Sequence, residues 1–129
     1  MGSALAGLRL LVVEDEAMVA LMIETMLSDL GCVVVDVAGT VSRGLALVGD
    51  DGLRLDGAIL DVNLGGEKVY PIAQALSDRH VPFIFSTGYG IDGITPQFAH
   101  VPALAKPYEC WALEEMLIST LVPGAPGAG

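Results

Sequence analysis

Leu8-Arg9-Leu10-Leu11-Val12-Val13-Glu14-Asp15-Glu16 is the stretch that decides the architecture. Leu8 to Val13 is a short, almost continuous apolar run, the pattern of a strand buried on both faces. Three acids follow it immediately. From Glu16 to Leu30 the spacing becomes helical: Val19, Met22, Ile23, Met26, Leu27 and Leu30 recur at intervals of three and four, and Gly31 stands where a left-handed cap ends a helix.

The same alternation continues outward. Val33 to Ala38 reads as a second strand, and Thr40 can cap a second helix carrying Val41, Leu45 and Val48, before Asp50-Asp51-Gly52 turns the chain. Ala58 to Val62 gives a third strand and Asn63-Leu64-Gly65-Gly66 a loop. Val69, Ile72, Ala73 and Leu76 then mark a third helix that tolerates Pro71 only in its first turn. Pro82 introduces a fourth strand, Phe83 to Ser86; a short fifth lies around Ala103 to Ala105; and a last helix from about Tyr108 to Leu121 aligns Leu113, Leu117 and Leu121. Gly88 to Pro102 should hold a fourth helix, but its three Gly and two Pro leave no helical stripe, so that helix is expected to be short or mobile. Strands separated by helices predict an α/β fold, a doubly wound parallel sheet with helices on both faces.

At 129 residues the chain has room for one domain, expected over residues 1–122, with a flexible Pro/Gly-rich tail at 123–129. Sixteen Asp plus Glu against six Lys plus Arg give a formal net charge of -10, which repels phosphate backbones and anionic lipid and argues against nucleic-acid or membrane partners. A hydrophobic fraction of 53% is too high for disorder, yet no stretch reaches the about 18 apolar residues of a membrane span. Between Met1 and Val13, Arg9 and the acids that follow spoil an export signal, and two cysteines, Cys32 and Cys110, read as buried free thiols. The expected location is cytoplasmic. His80 and His100 read as surface residues, Trp111 and Tyr108 as packing, and Gly88-x-Gly90-x-x-Gly93 as a chance match to a dinucleotide fingerprint, because no amphipathic helix follows it.

In an open parallel sheet, ligands bind beyond the carboxyl ends of the strands. Glu14 and Asp15 end the first strand, Asp61 lies near the end of the third, Thr87 ends the fourth and Lys106 the fifth. Taken singly, each has an ordinary reading: a helix N-terminus for the acids, a turn for Thr87, a solvated surface lysine for Lys106. Together they place three carboxylates at one rim, which is costly unless a cation intervenes. Lys106 offsets one charge. The excess calls for a hard divalent ion with oxygen ligands, and Mg²⁺ is the expected cofactor. With its neighbours neutralised, the Asp61 carboxylate can attack phosphorus and form an aspartyl phosphate, Lys106 and the Thr87 hydroxyl being placed to hold the phosphoryl oxygens.

Val12-Val13-Glu14-Asp15-Glu16, Ile59-Leu60-Asp61-Val62, Thr87 and Lys106-Pro107 together resemble the bacterial response-regulator receiver domain, over roughly residues 7 to 122. The resemblance implies a flavodoxin-like five-stranded sheet of order 2-1-3-4-5, a Mg²⁺ site of Glu14, Asp15, Asp61 and the backbone carbonyl of Asn63, a phosphoacceptor Asp61, and a cis proline after Lys106. Such a protein catalyses only its own phosphorylation and dephosphorylation. It takes phosphate from a sensor histidine kinase or phosphotransfer protein and signals by protein contact. Phe85-Ser86-Thr87-Gly88-Tyr89-Gly90 resembles the motif of the FAT GUY single-domain subgroup, with Ser86 in place of Ala. Ala103 stands where most receivers carry an aromatic switch residue, which leads us to expect an order–disorder change across Gly88 to His100 instead. The partner face is expected around Ala103 and Leu113 to Leu117 together with the mobile segment, and a homodimer is allowed for. Two alternatives stay open: a flavin-like small-molecule binder on the same fold, and a receiver cut from a longer hybrid histidine kinase.

Overall fold

The computed structural model describes residues 4–88 and 94–122. In chain order its elements are β1 (Arg9–Val13), α1 (Ala17–Asp29), β2 (Val33–Ala38), α2 (Val41–Val48), β3 (Gly57–Asp61), β4 (Asn63–Leu64), β5 (Glu67–Lys68), α3 (Tyr70–Asp78), β6 (Phe83–Thr87), β7 (Ala103–Ala105) and α4 (Cys110–Leu121). The main sheet is parallel and five-stranded, ordered β2-β1-β3-β6-β7. Counting its strands alone, that is the 2-1-3-4-5 order the resemblance implies.

Period-two alternation divides the strands between two cores. Leu11, Val13, Leu60 and Phe85 join Val41, Leu47 and Val48 of α2 and Ile72, Ala73 and Leu76 of α3. Leu10, Val12, Ile59 and Ile84 face the other way, toward Ile23 and Leu27 of α1 and Leu113 and Leu117 of α4. Because both faces are covered, the strands are apolar throughout, which is why Leu10 to Val13 shows no alternation in sequence. Helix ends follow local chemistry. The Thr40 hydroxyl accepts from the Arg43 N–H at 3.1 Å to start α2, Pro71 lies within the first turn of α3, and Gly31 closes the end of α1 at φ +86°.

Several details differ from expectation. Asn63 to Gly66 is not a plain loop: Asn63 pairs with Lys68 and Leu64 with Glu67 in a small antiparallel hairpin. Its two-residue turn is Gly65-Gly66, both at positive φ, +56° and +96°, the backbone that tight hairpins select. Between β6 and β7 the described residues hold only a 3-10 turn, Pro96–Phe98. Residues 89–93, on which part of the order–disorder expectation and of the glycine fingerprint rests, lie outside the described residues, as does the 123–129 tail. The last helix starts at Cys110, because Glu109 is still extended at φ -84°, ψ 155°.

One part of the partner-face expectation needs correcting. Leu113 and Leu117 are fully buried against β6 and α1, so that stripe of α4 cannot meet a partner. Trp111, read as packing, is 66% exposed, because it lies two positions from Leu113 and so on another side of the helix. Cys32 is buried as expected, whereas Cys110 is only partly so.

Candidate functional site

Strand register builds the site. Val12 pairs with Ile59, and Ile59 with Ile84, forming a row on the α1/α4 face of the sheet. One alternation further, Asp61 pairs with Ser86, and Glu14, two residues past Val12, extends the row beyond β1. The acids therefore occupy the last row of the sheet on one face, where apolar packing gives way to solvent. Lys106 arrives from the next strand: its N–H donates to the Thr87 carbonyl at 2.8 Å, carrying the β6–β7 ladder one residue further.

Glu14, Asp15, Asp61, Asn63 and Lys106 come together at this edge, but not equally. Asp15, Asp61, Asn63 and Lys106 line an open cleft of about 380 Å³, together with Glu16, Val19, Gly65, Gly66 and Gly88. Glu14 is 2% exposed and sits behind the cleft. One of its oxygens accepts from Lys106 Nζ at 2.6 Å and the other from the Glu16 N–H at 3.0 Å. Lys106 Nζ also lies 3.4 Å from Asp61 Oδ2, so one ammonium bridges two carboxylates. Thr87 is buried at the end of β6. The Lys106–Pro107 peptide is cis, as the resemblance implies.

These contacts set the charges. Burial, then the Glu14 charge, raise the Asp61 carboxyl to about 6, against the opposing pull of Lys106 and of the Asn63 N–H that reaches Asp61 Oδ1 at 3.4 Å. Burial pulls the Lys106 ammonium down, but its hydrogen bond to Glu14 and the two carboxylate charges outweigh burial and hold it above the ordinary lysine value. Carboxylate oxygens of Glu14, Asp15 and Asp61 lie within 4.8 Å of one another. Three hard anionic oxygens against one ammonium fit a divalent cation with oxygen preference, and Asp15 and Asp61 are the two that face the cleft.

Sequence reasoning missed two participants. Ser86 shares the row with Asp61, and its hydroxyl meets the Tyr108 hydroxyl at 3.2 Å. The Gly65-Gly66 turn forms part of the cleft wall, and a Gly-Gly pair between two short extended segments could have signalled it. The first turns of α1 leave an apolar edge beside Val19: Met18 is 78% exposed, and Leu21 and Met22 are exposed as well.

No family model matches the chain, and no curated protein matches it. Solved structures do. SdrG from Sphingomonas melonis Fr1 is 43% identical, with 89% of this chain and 95% of that chain covered at a TM-score of 0.76. The response regulator PhyR from Brucella abortus is 28% identical over 90% of this chain at a TM-score of 0.75, and this chain spans 48% of that one. The receiver domain of the sensor histidine kinase PA1611 from Pseudomonas aeruginosa PAO1, solved with a magnesium ion coordinated in its active-site cleft, is 26% identical. There 88% of this chain and 96% of that chain are covered, at a TM-score of 0.75.

Proposed function

The chain belongs to the response-regulator receiver domains, and on that premise we propose that it is a phosphoacceptor whose Asp61 receives a phosphoryl group from a histidine kinase or phosphotransfer protein. The observation that carries this reading is the position of Asp61, at the mouth of the cleft with Lys106 Nζ 3.4 Å from its carboxylate. At neutral pH a carboxyl titrating at about 6 is mostly ionised, so it is available as a nucleophile. An Asp61 oxygen forms the new bond to phosphorus while the donor's phosphorus–nitrogen bond breaks and its electron pair leaves with the imidazole. Lys106 holds one of the phosphoryl oxygens, and Thr87, at the end of β6, another.

Mg²⁺ would be held by Asp15, Asp61 and the Asn63 carbonyl, with Glu14 behind them, and when bound it supplies neutralisation of the carboxylate and phosphoryl charge. Activity is confined to the chain's own phosphorylation and dephosphorylation. The exposed Met18, Leu21 and Met22 beside the cleft suit an apolar helix surface of a protein phosphodonor. Phe85-Ser86-Thr87-Gly88 supports a place in the FAT GUY subgroup, and with Ala103 in the switch position the signal leaves by a route other than ring rotation there.

The test is incubation with Mg²⁺ and acetyl phosphate, followed by intact and peptide mass measurement. An acid-labile gain of one phosphoryl group on Asp61, lost in Asp61→Asn, is the expected outcome. Undiminished labelling of that variant removes Asp61 from the role.

A further inference from the structure

We propose that the Ser86–Tyr108 hydroxyl pair is a positioning device for Lys106, holding the segment that carries the lysine against the strand beside Asp61. This rests on the phosphoacceptor reading for its consequence, though not for its geometry. Ser86 is 1% exposed and stands directly across from Asp61 on the neighbouring strand, in the last row of the α1/α4 face. The row below Ser86 is Ile59 and Ile84, and its other strand neighbour is Leu104. A hydroxyl buried in that company must find a partner, and it finds the Tyr108 hydroxyl at 3.2 Å.

Tyr108 lies two residues beyond Lys106, past Pro107 and before α4 begins at Cys110. The segment from Lys106 to Glu109 is thus tied to β6 at two points. The Lys106 N–H donates to the Thr87 carbonyl at 2.8 Å, and the tyrosine hydroxyl reaches the residue next to Thr87. Lys106 carries the first tie itself, and the second follows two residues later. Its long side chain must give up rotamer freedom to lie between Glu14 and Asp61, and a backbone pinned at the lysine and again two residues on reduces what must be fixed. Tyr108 touches neither the cleft nor a reacting atom, so its action is through Lys106.

The experiment compares the wild type, Ser86→Ala, Tyr108→Phe and the double variant by three measurements. These are kcat and KM for Mg²⁺-dependent labelling by acetyl phosphate, the rate at which a water-soluble acyl ester modifies the Lys106 ε-amine as located by mass, and the thermal midpoint. Either single variant should lower kcat about fivefold at nearly constant KM, and raise Lys106 acylation by a similar factor, the scale of one neutral hydrogen bond. The double variant should match the singles in both, because one bond is lost in each case. Its thermal midpoint should nevertheless recover, since no buried hydroxyl is left without a partner. Rates that recover along with the midpoint in the double variant, or Lys106 acylation unchanged in all four proteins, overturn the proposal. A wild type that takes no label sinks the phosphoacceptor reading alone, and the acylation measurement still decides whether the pair positions the lysine.

Discussion

Replacing Asp61 by Asn is expected to stabilise the fold at neutral pH while abolishing its chemistry. Burial and the Glu14 charge raise the Asp61 carboxyl to about 6 in the folded chain, whereas an unfolded aspartate titrates near 3.9. Below both values the group is protonated in either state and its charge is irrelevant. Between about 4 and 6 the folded state holds a proton that the unfolded state has lost, so stability falls as pH rises through this window. Above about 6 the full penalty is present. A gap of two units at 1.4 kcal/mol each gives a penalty of the order of 3 kcal/mol.

Asn has nearly the same shape, can still accept from the Asn63 N–H, and cannot ionise. Asp61→Asn should therefore exceed the wild type by about 3 kcal/mol at pH 7.5 in chelator, or about 10 °C in thermal midpoint for a chain of this size. The advantage should shrink through pH 6 and vanish near pH 4. Urea unfolding followed by circular dichroism at pH 4, 5, 6 and 7.5 measures it directly. Mg²⁺ should stabilise the wild type more than the variant, because the variant has lost one of the cleft-facing carboxylates. A variant no more stable than the wild type at pH 7.5, with a difference that stays flat across the window, would refute the reasoning: Lys106 alone would then neutralise the row.

Other substitutions probe the remaining parts. Lys106→Met leaves Glu14 and Asp61 buried beside each other without their cation, and should lower stability at pH 7.5 by about 3 kcal/mol in urea titration, a loss that Mg²⁺ partly restores. Gly44→Ala places a Cβ against Ile72 Cδ1 in the fully buried α2–α3 contact, and should lower stability by about 1 to 3 kcal/mol while Asp61 labelling by acetyl phosphate stays unchanged. Met18→Glu, at a position 78% exposed, should move stability by less than about 0.5 kcal/mol and leave small-donor labelling intact. It should slow phosphotransfer from a purified protein donor, and an unchanged rate there would exclude this edge of α1 from the donor contact.

How far the sequence could be read depended on whether a residue's role was local. Thr40 as a cap, Gly31 as a helix stop and Pro71 in a first turn are decided within a few residues, and the structure places each as its chemistry requires. The convergence of Glu14, Asp15, Asp61 and Lys106 was legible because parallel strands bring all their carboxyl ends to one edge. Which acids face solvent was not, since Glu14 and Asp15 are sequence neighbours on opposite sides of the burial boundary. The Ser86–Tyr108 contact spans 22 residues and depends on which face β6 turns inward, which an apolar run such as Phe83 to Phe85 leaves undecided. The exposure of Trp111 was hidden for the same kind of reason: α4 is apolar on several sides, and only packing selects Leu113 and Leu117 as the inner one.

That phase problem also explains what holds the site. In a strand buried on both faces, nothing polar fixes the register until the rim is reached. A slip of β3 by one residue would carry Asp61 from the α1/α4 face to the α2/α3 face, away from Glu14. The side chains that oppose the slip are apolar: Ile59 fits between Val12 and Ile84 on one face, and Leu60 packs with Leu11 and Phe85 on the other. Asp61 itself works against folding at neutral pH, because burial and the Glu14 charge raise its carboxyl. Geometry at the phosphoacceptor is thus imposed from below by the hydrophobic rows, and the electrostatic strain they sustain at the rim is what makes the site responsive to a cation and to a phosphoryl group.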